Sequence, residues 1–320
     1  MQAFLIDSSI YIFRSYFTLP ENWQAQESQY PTNAVYGFTA FLLDILRQKQ
    51  PDYLFCAFDE SLGSGFRHQL CPDYKANREL PDEALAFQLN SCRQLCRVLG
   101  IKEMASPVYE ADDLIGGVAS KVRQASGQSV IVSRDKDLTQ LIQEGDLYWD
   151  FGKSQPQTQA QLEAHLELGC HQMADYLALI GDSSDNIAGV PGVGAKTAKQ
   201  LLSHYPSVEV ILEHLDQLQD LPIRGAGKLA DKLDGHREQL MLSRQLATIV
   251  TQIGEAPGLS DIGWQGIYYD AFEIFCEEMG FASTFMSRAA NLRQREMAPP
   301  GYSSSDNRII NNNSMDTDRQ

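Results

Sequence analysis

This 320-residue chain is short of cations, histidine, paired cysteines and long apolar runs, and each shortage removes a class of function. No apolar stretch approaches the roughly 18 residues that cross a bilayer. The chain enters its first apolar run almost at once, without the basic region of a signal peptide, so a cytoplasmic location with reduced thiols is expected. Six cysteines, at positions 56, 71, 92, 96, 170 and 276, form no CxxC pair, which argues against a zinc knot or a disulfide framework. Lys and Arg number 26 against 42 Asp and Glu, a net charge of −16. That balance argues on its face against a nucleic-acid partner, because phosphate binding usually leaves a basic footprint. The cations are unevenly spread, however. Residues 66–78 hold Arg67, His68, Lys75 and Arg78 against Asp73 alone, and residues 186–208 hold Lys196 and Lys199 with no acid.

What is present is an ordinary globular composition, 43% hydrophobic and 21% charged, with room for one large domain or two smaller ones. Three apolar runs each end in an aspartate: residues 3–7 at Asp7, 53–59 at Asp59 and 129–135 at Asp135. Short runs rich in Ile, Val and Phe read as buried strands of a mostly parallel sheet. Ligands of such sheets bind beyond the carboxyl ends of the strands, so neighbouring strands would deliver these carboxylates to one edge. Two further acidic clusters follow, Glu110, Asp112 and Asp113, then Asp182 and Asp185, and Asp137 stands two residues after Asp135. Crowded carboxylates need cations, since like charges a few ångströms apart cannot all ionise otherwise. No histidine or cysteine accompanies the clusters, so the ligand set is all oxygen and favours Mg²⁺ or Mn²⁺ over zinc. The competing reading is that strand-end aspartates merely cap the next helix; the joint occurrence of nine acids favours a metal site.

Helical spacing runs through Val35, Phe38, Phe41, Leu42, Ile45 and Leu46, then through Leu85, Leu89, Cys92, Leu95, Cys96 and Leu99, where Gly100 suits a helix C-cap. Strands alternating with helices over residues 1–150 imply a doubly wound α/β layer. From about residue 170 the pattern is helical. Residues 189–198, Gly-Val-Pro-Gly-Val-Gly-Ala-Lys-Thr-Ala, fail as a phosphate-binding P-loop: Ala195 precedes the lysine and a helix precedes the loop. They read instead as a helix-hairpin-helix, its second helix starting near Ala195. Its exposed amides, with Gly192, Gly194, Lys196 and Thr197, suit a DNA phosphate. Residues 265–290 read as one or two more helices, and the Ser-, Asn- and Pro-rich segment from 291 reads as a disordered tail.

Taken in order, residues 5–9, 34–38, 57–59, 66–68, 73–78, 109–113, 135–137, 181–186 and 189–198 resemble the flap endonuclease and 5′→3′ exonuclease family, especially its bacterial branch with the 5′-nuclease domain of DNA polymerase I. The resemblance spans about residues 3–255, and with no polymerase domain following, the chain looks like a stand-alone member. It implies a PIN-like nuclease domain over residues 1–170 with a helical arch at about 66–93, a helix-hairpin-helix domain over 171–255, added helices at 256–290 and a tail at 291–320. It implies two or more divalent ions, one held mainly by Asp7, Asp59, Glu110 and Asp112 with Asp113 nearby, the other by Asp135, Asp137, Asp182 and Asp185. It also implies K⁺ on hairpin carbonyls, Val190 and Val193 being the expected donors. Lys75 and Arg78 would act catalytically on the scissile phosphate, Arg67 would touch DNA, and Tyr74 would either stack on an unpaired base or serve as a partly buried anchor. The expected substrate is DNA with 5′ flaps, nicks or 5′ ends, in replication or repair. The rival readings are a PIN-type ribonuclease and a non-catalytic DNA-structure-binding protein.

Overall fold

The computed structural model describes residues 1–60, 63–223 and 225–295. Its first layer is a six-stranded sheet built from β1 (Gln2–Asp7), β2 (Tyr53–Asp59), β3 (Lys102–Ser106), β4 (Gln128–Val132), β5 (Leu147–Trp149) and β6 (Gln157–Thr158), in the order β3-β2-β1-β4-β5-β6. All neighbours are parallel except β5 and β6. Period-2 alternation explains why the strands are apolar throughout. Phe4, Ile6, Leu54, Cys56, Phe58, Val130 and Val132 enter one core, and Ala3, Leu5, Phe55, Ala57 and Ile131 enter the core on the opposite face. Each such fully buried large side chain contributes roughly 1.5–3 kcal/mol.

The first face is covered by α1 (Ser8–Thr18), α2 (Asn33–Lys49) and, after the short α3 (Phe66–Leu70), by α4 (Glu83–Val98). The other face is covered by α5 (Ala111–Gln124). The helix expected from Leu85 to Leu99 ends as its sequence requires: Gly100 takes φ +68, its N–H bonds to Arg97 O, and Ile101 N–H returns to Cys96 O. A crossover on each side of β1 makes the β1/β4 boundary the topological switch point, and the strand-end acids gather beside it.

A second, helical core follows α6 (Gln159–Leu166). It contains α7 (Met173–Ile180), α8 (Ala195–His204), α9 (Val208–Glu213), α10 (Leu229–Gly235) and α11 (Arg237–Ala247), with α7 packed on both α8 and α11. The remaining segment returns to the first core rather than extending the second. Ile267 and Tyr268 of β7 (Ile267–Tyr268) join the cluster formed by α2 and α4. So do Phe272, Phe275 and Cys276 of α12 (Tyr269–Glu278) and Ala289 of α13 (Met286–Ala289). β7 pairs with β8 (Gln294–Arg295), so residues 291–295 of the expected tail are ordered chain; the rest of that tail lies outside the described residues. The arch expected over residues 66–93 is helical only at its ends, in α3 and from Glu83 onward, and residues 72–77 are a run of turns that packs on the helical core through Tyr74.

Candidate active site

The strand-end acids predicted from sequence lie at one edge of the sheet, and each predicted acid is held in its own way. Asp7, at the end of the central strand, is buried and its Oδ2 accepts the Ser133 hydroxyl at 2.8 Å. Asp59, at the end of β2, accepts the Ala111 N–H at 2.8 Å and so caps α5 from 52 residues away. Asp135 caps the 3₁₀ turn over Lys136–Leu141 by accepting the Asp137 N–H at 2.9 Å. Asp59 and Asp135 thus cap while lying at the acid edge, whereas Asp7, the N-cap residue of α1, makes no side-chain cap bond. Asp182 and Asp185 sit on a loop closed by paired backbone bonds between Asp182 and Ile187, at 2.9 and 2.7 Å.

Electrostatics ties these positions into one field. Burial, then Asp59, pushes the Asp7 carboxyl up to about 7. Loss of water, then Asp135, Asp7 and Asp59, raises Asp112 well above the ordinary carboxyl value. Burial, then Asp135, brings Asp137 up to about 8, with Asp182 and Asp185 contributing. Asp135 is raised by burial and, among the charges, by Asp185 and Asp182, so it joins the two acid groups. The Asp137 Oδ1 is buried without a hydrogen-bond partner. All-oxygen donors, mutual repulsion and one orphaned carboxylate oxygen fit a hard divalent cation. Among the described residues, however, no three His, Cys, Asp or Glu side chains form a ready-made cage. The oxygens are instead shared among internal donors: Glu110 and Asp185 turn onto Lys75, at 2.8 and 3.5 Å, and Asp185 also takes Arg78 at 2.6 Å.

Lys75 and Arg78 thus stand over the acid edge. Burial opposes the charge on Lys75, but Glu110 and then Asp185 outweigh it and raise its pKa. A cavity of about 360 Å³ opens beside them, its lining including the polar Asp59, Glu110, His68, Lys75 and Arg78 and the apolar Phe13, Leu80, Leu85 and Leu89.

Three expected roles are corrected by the geometry. Asp113 is 0% exposed and already accepts two bonds from Arg67 (2.6 and 2.8 Å), one from Val250 N–H (2.8 Å) and one from Glu110 N–H (3.1 Å), which leaves no oxygen for a metal. Arg67 is 3% exposed and spends its other donors on the Leu246 and Thr248 carbonyls, so it is a buried post between the sheet and the end of α11, not a DNA contact. Tyr74 is 2% exposed, its hydroxyl shared between Glu110 Oε2 (3.1 Å) and Asp185 Oδ2 (3.0 Å), so no base can stack on it. Burial, then Glu110 and Asp185, raises its pKa, which keeps it a donor.

At the hairpin, Gly192 takes φ +79 and Gly194 is the N-cap of α8, whose first turn has no acid and no side-chain cap. Gly192, Gly194 and Lys196 are exposed, with Thr197 half-buried. Sequence reading missed Lys232 of α10. A Cβ at Gly192 would come within 2.6 Å of its Nζ, so the lysine lies against the hairpin turn. It stands 36 positions after Lys196 in the chain, and no local pattern links the two.

Comparison with known proteins resolves the lineage. Residues 2–167 match the model of the 5′-3′ exonuclease N-terminal resolvase-like domain, and residues 168–269 match its C-terminal SAM fold. The chain belongs to the 5′-3′ exonuclease family. It is 34% identical over 245 residues to a 5′-3′ exonuclease of Buchnera aphidicola subsp. Schizaphis graminum, covering 77% of this chain and 85% of that protein. It is also 34% identical over 300 residues to DNA polymerase I of Bacillus caldotenax, covering 92% of this chain but 33% of that one. The chain therefore spans about a third of the length of this polymerase relative. The fold is shared with zinc-bound T5 5′-exonuclease (TM-score 0.63, 19% identity, 87% of this chain and 98% of that one). It is shared too with the catalytic core of Rad2 in complex with DNA substrate (TM-score 0.59, 14% identity, 90% and 91%).

Proposed function

We propose that this family member is a structure-selective 5′→3′ exonuclease and flap endonuclease that hydrolyses DNA phosphodiesters with divalent-metal assistance, in replication or repair. The observation that carries the reading is the meeting of two acid groups through Asp135, under the cationic turn of Lys75 and Arg78. Asp7, Asp59, Glu110 and Asp112 would hold one Mg²⁺ or Mn²⁺, and Asp135, Asp137, Asp182 and Asp185 the other. Bound there, such ions supply a nucleophilic water at neutral pH and neutralise charge on the reacting phosphate.

The chain's own residues do the rest. Lys75 and Arg78 present positive charge to the scissile phosphate after releasing Glu110 and Asp185. Ser133 keeps Asp7 oriented, and the Ala111 N–H keeps Asp59 oriented. The free amides at the start of α8, with Gly192, Gly194, Lys196 and Thr197, grip a duplex phosphate, and Lys232 adds a second cation beside them. The Val190 carbonyl closes the hairpin turn by accepting the Val193 N–H at 2.9 Å and keeps its other lone pair, which with the Val193 carbonyl suits K⁺.

The test is cleavage of a 5′-labelled flap duplex with and without Mg²⁺, against the nicked duplex and an RNA flap. Cleavage of the DNA flap that vanishes in Asp112→Ala and Asp135→Ala, with binding retained, supports the reading. Full activity in purified Asp112→Ala, or no Mg²⁺-dependent cutting by the parent, refutes it.

A further inference from the structure

Two loops far apart in sequence grip each other by reciprocal amide bonds, and between them lies the lysine of the proposed site. Asn77 Nδ2 donates to the Ser183 carbonyl at 3.0 Å, and Asn186 Nδ2 donates to the Asp73 carbonyl at 2.6 Å. The Lys75 N–H donates to the Asp185 carbonyl at 3.0 Å. Each loop thus lends one asparagine amide to a backbone oxygen of the other, with a backbone bond in the middle. Lys75 and Asn186 both adopt left-handed φ, +52 and +55, and neither is glycine. Non-glycine residues hold that conformation only where surrounding contacts over-determine it. The effect of the turn at Lys75 is to drop its ammonium between Glu110 and Asp185, while the next turn residue but two, Arg78, reaches Asp185 from outside.

We propose that Asn77 and Asn186 are positioning residues that set Lys75 and Arg78 over the acid edge by clasping the 73–78 turn to the 182–187 loop. The clasp rests on the catalytic reading above and deepens it: neither asparagine touches the phosphate, and both act through the two cations. The bonds are neutral and mostly exposed, so each is worth little to the stability of the whole chain. A flexible lysine displaced by an ångström, in contrast, loses much of its hold on a developing charge.

The experiment uses the full chain with Asn77→Ala, Asn186→Gly and the double variant. Glycine at 186 accepts φ +55, so that change removes the amide without straining the backbone. Single-turnover flap cleavage at saturating enzyme and Mg²⁺ should slow about three- to tenfold for each variant, the size of one neutral hydrogen bond expressed as a rate. Flap affinity should stay within about twofold, since no phosphate contact is removed. In a Lys75→Ala/Arg78→Ala background the same changes should slow cleavage less than about twofold, because the loss of the asparagines is not additive with the loss of the two groups they act through. Hydrogen exchange of the Lys75 amide should quicken in all three variants. Unchanged rates, a loss of equal size in the Lys75→Ala/Arg78→Ala background, or unchanged exchange at Lys75 would each overturn the proposal. If the parent does not cleave, the catalytic reading fails by itself and the exchange at Lys75 alone decides whether the clasp exists.

Discussion

Replacing Asp113 by Asn should cost the fold about 3–5 kcal/mol, the range for breaking one partner of a buried ion pair. The magnitude follows from the surroundings. Asp113 is wholly buried and accepts four donors, two of them from a guanidinium that is itself 3% exposed. Burial opposes the charge on Arg67, and its bonds to Asp113 outweigh that penalty. An Asn amide turns an N–H₂ toward donors whichever way it rotates, and it leaves the arginine charge uncompensated in the interior. Arg67→Met should cost a comparable amount, whereas Arg67→Met with Asp113→Leu should recover at least about 2 kcal/mol of the summed loss. Urea unfolding of the four proteins, in chelator and in millimolar Mg²⁺, measures this. An ion pair predicts the same loss in both buffers and an unchanged Mg²⁺ requirement for cleavage. A loss below about 1 kcal/mol, or a raised Mg²⁺ requirement with stability intact, would mean that Asp113 serves the metal after all.

Three further outcomes are expected. In chelator, stability should fall as pH rises from about 4 to about 8, because Asp7 and Asp137 titrate near 7 and 8 in the folded chain and at 3.8 when unfolded. The folded state binds more protons in that window, so each carboxyl contributes a slope of at most about 1.4 kcal/mol per pH unit. Millimolar Mg²⁺ should flatten the slope, and a melting temperature independent of pH in chelator would contradict the crowding. Lys232→Ala should weaken duplex binding and lower the salt slope of log K by about 1, with the rate at saturation retained; an unchanged slope would remove the lysine from the interface. Gly37→Ala should destabilise by about 1–3 kcal/mol, since its Cβ would lie 2.3 Å from Ser15 Oγ and 2.5 Å from Ser15 Cβ where α1 crosses α2. Chemical denaturation within 0.5 kcal/mol of the parent would show that the two helices can part at no cost.

Some of this molecule was legible along the chain. The strand-end aspartates, the helix over Ala111–Gln124 and the start of α8 at Ala195 follow from apolar periodicity and glycine placement, which are local properties. The packing of α12 on α2 and α4 was not, because an amphipathic helix announces that it has a partner without saying which face will receive it. The roles of Arg67, Tyr74 and Asp113 were not decided there either. A charged or aromatic residue in a cationic segment reads as a surface contact and an acid in an acidic cluster reads as a ligand, and only neighbours in space reveal that its bonds are already taken.

By itself the sequence determined the alternation of strands and helices, the placing of carboxylates at strand ends and the glycine turn of the hairpin, since each depends on residues a few positions apart. Tertiary structure alone decided which acids keep free oxygens, which cations face solvent and where Lys75 stands. Those depend on which distant groups reach a carboxylate first: Asp113 is claimed by Arg67 from 46 residues away, and Asp185 by Arg78 from 107. Burial sets how strongly such a claim is held, and burial is a property of the packed whole.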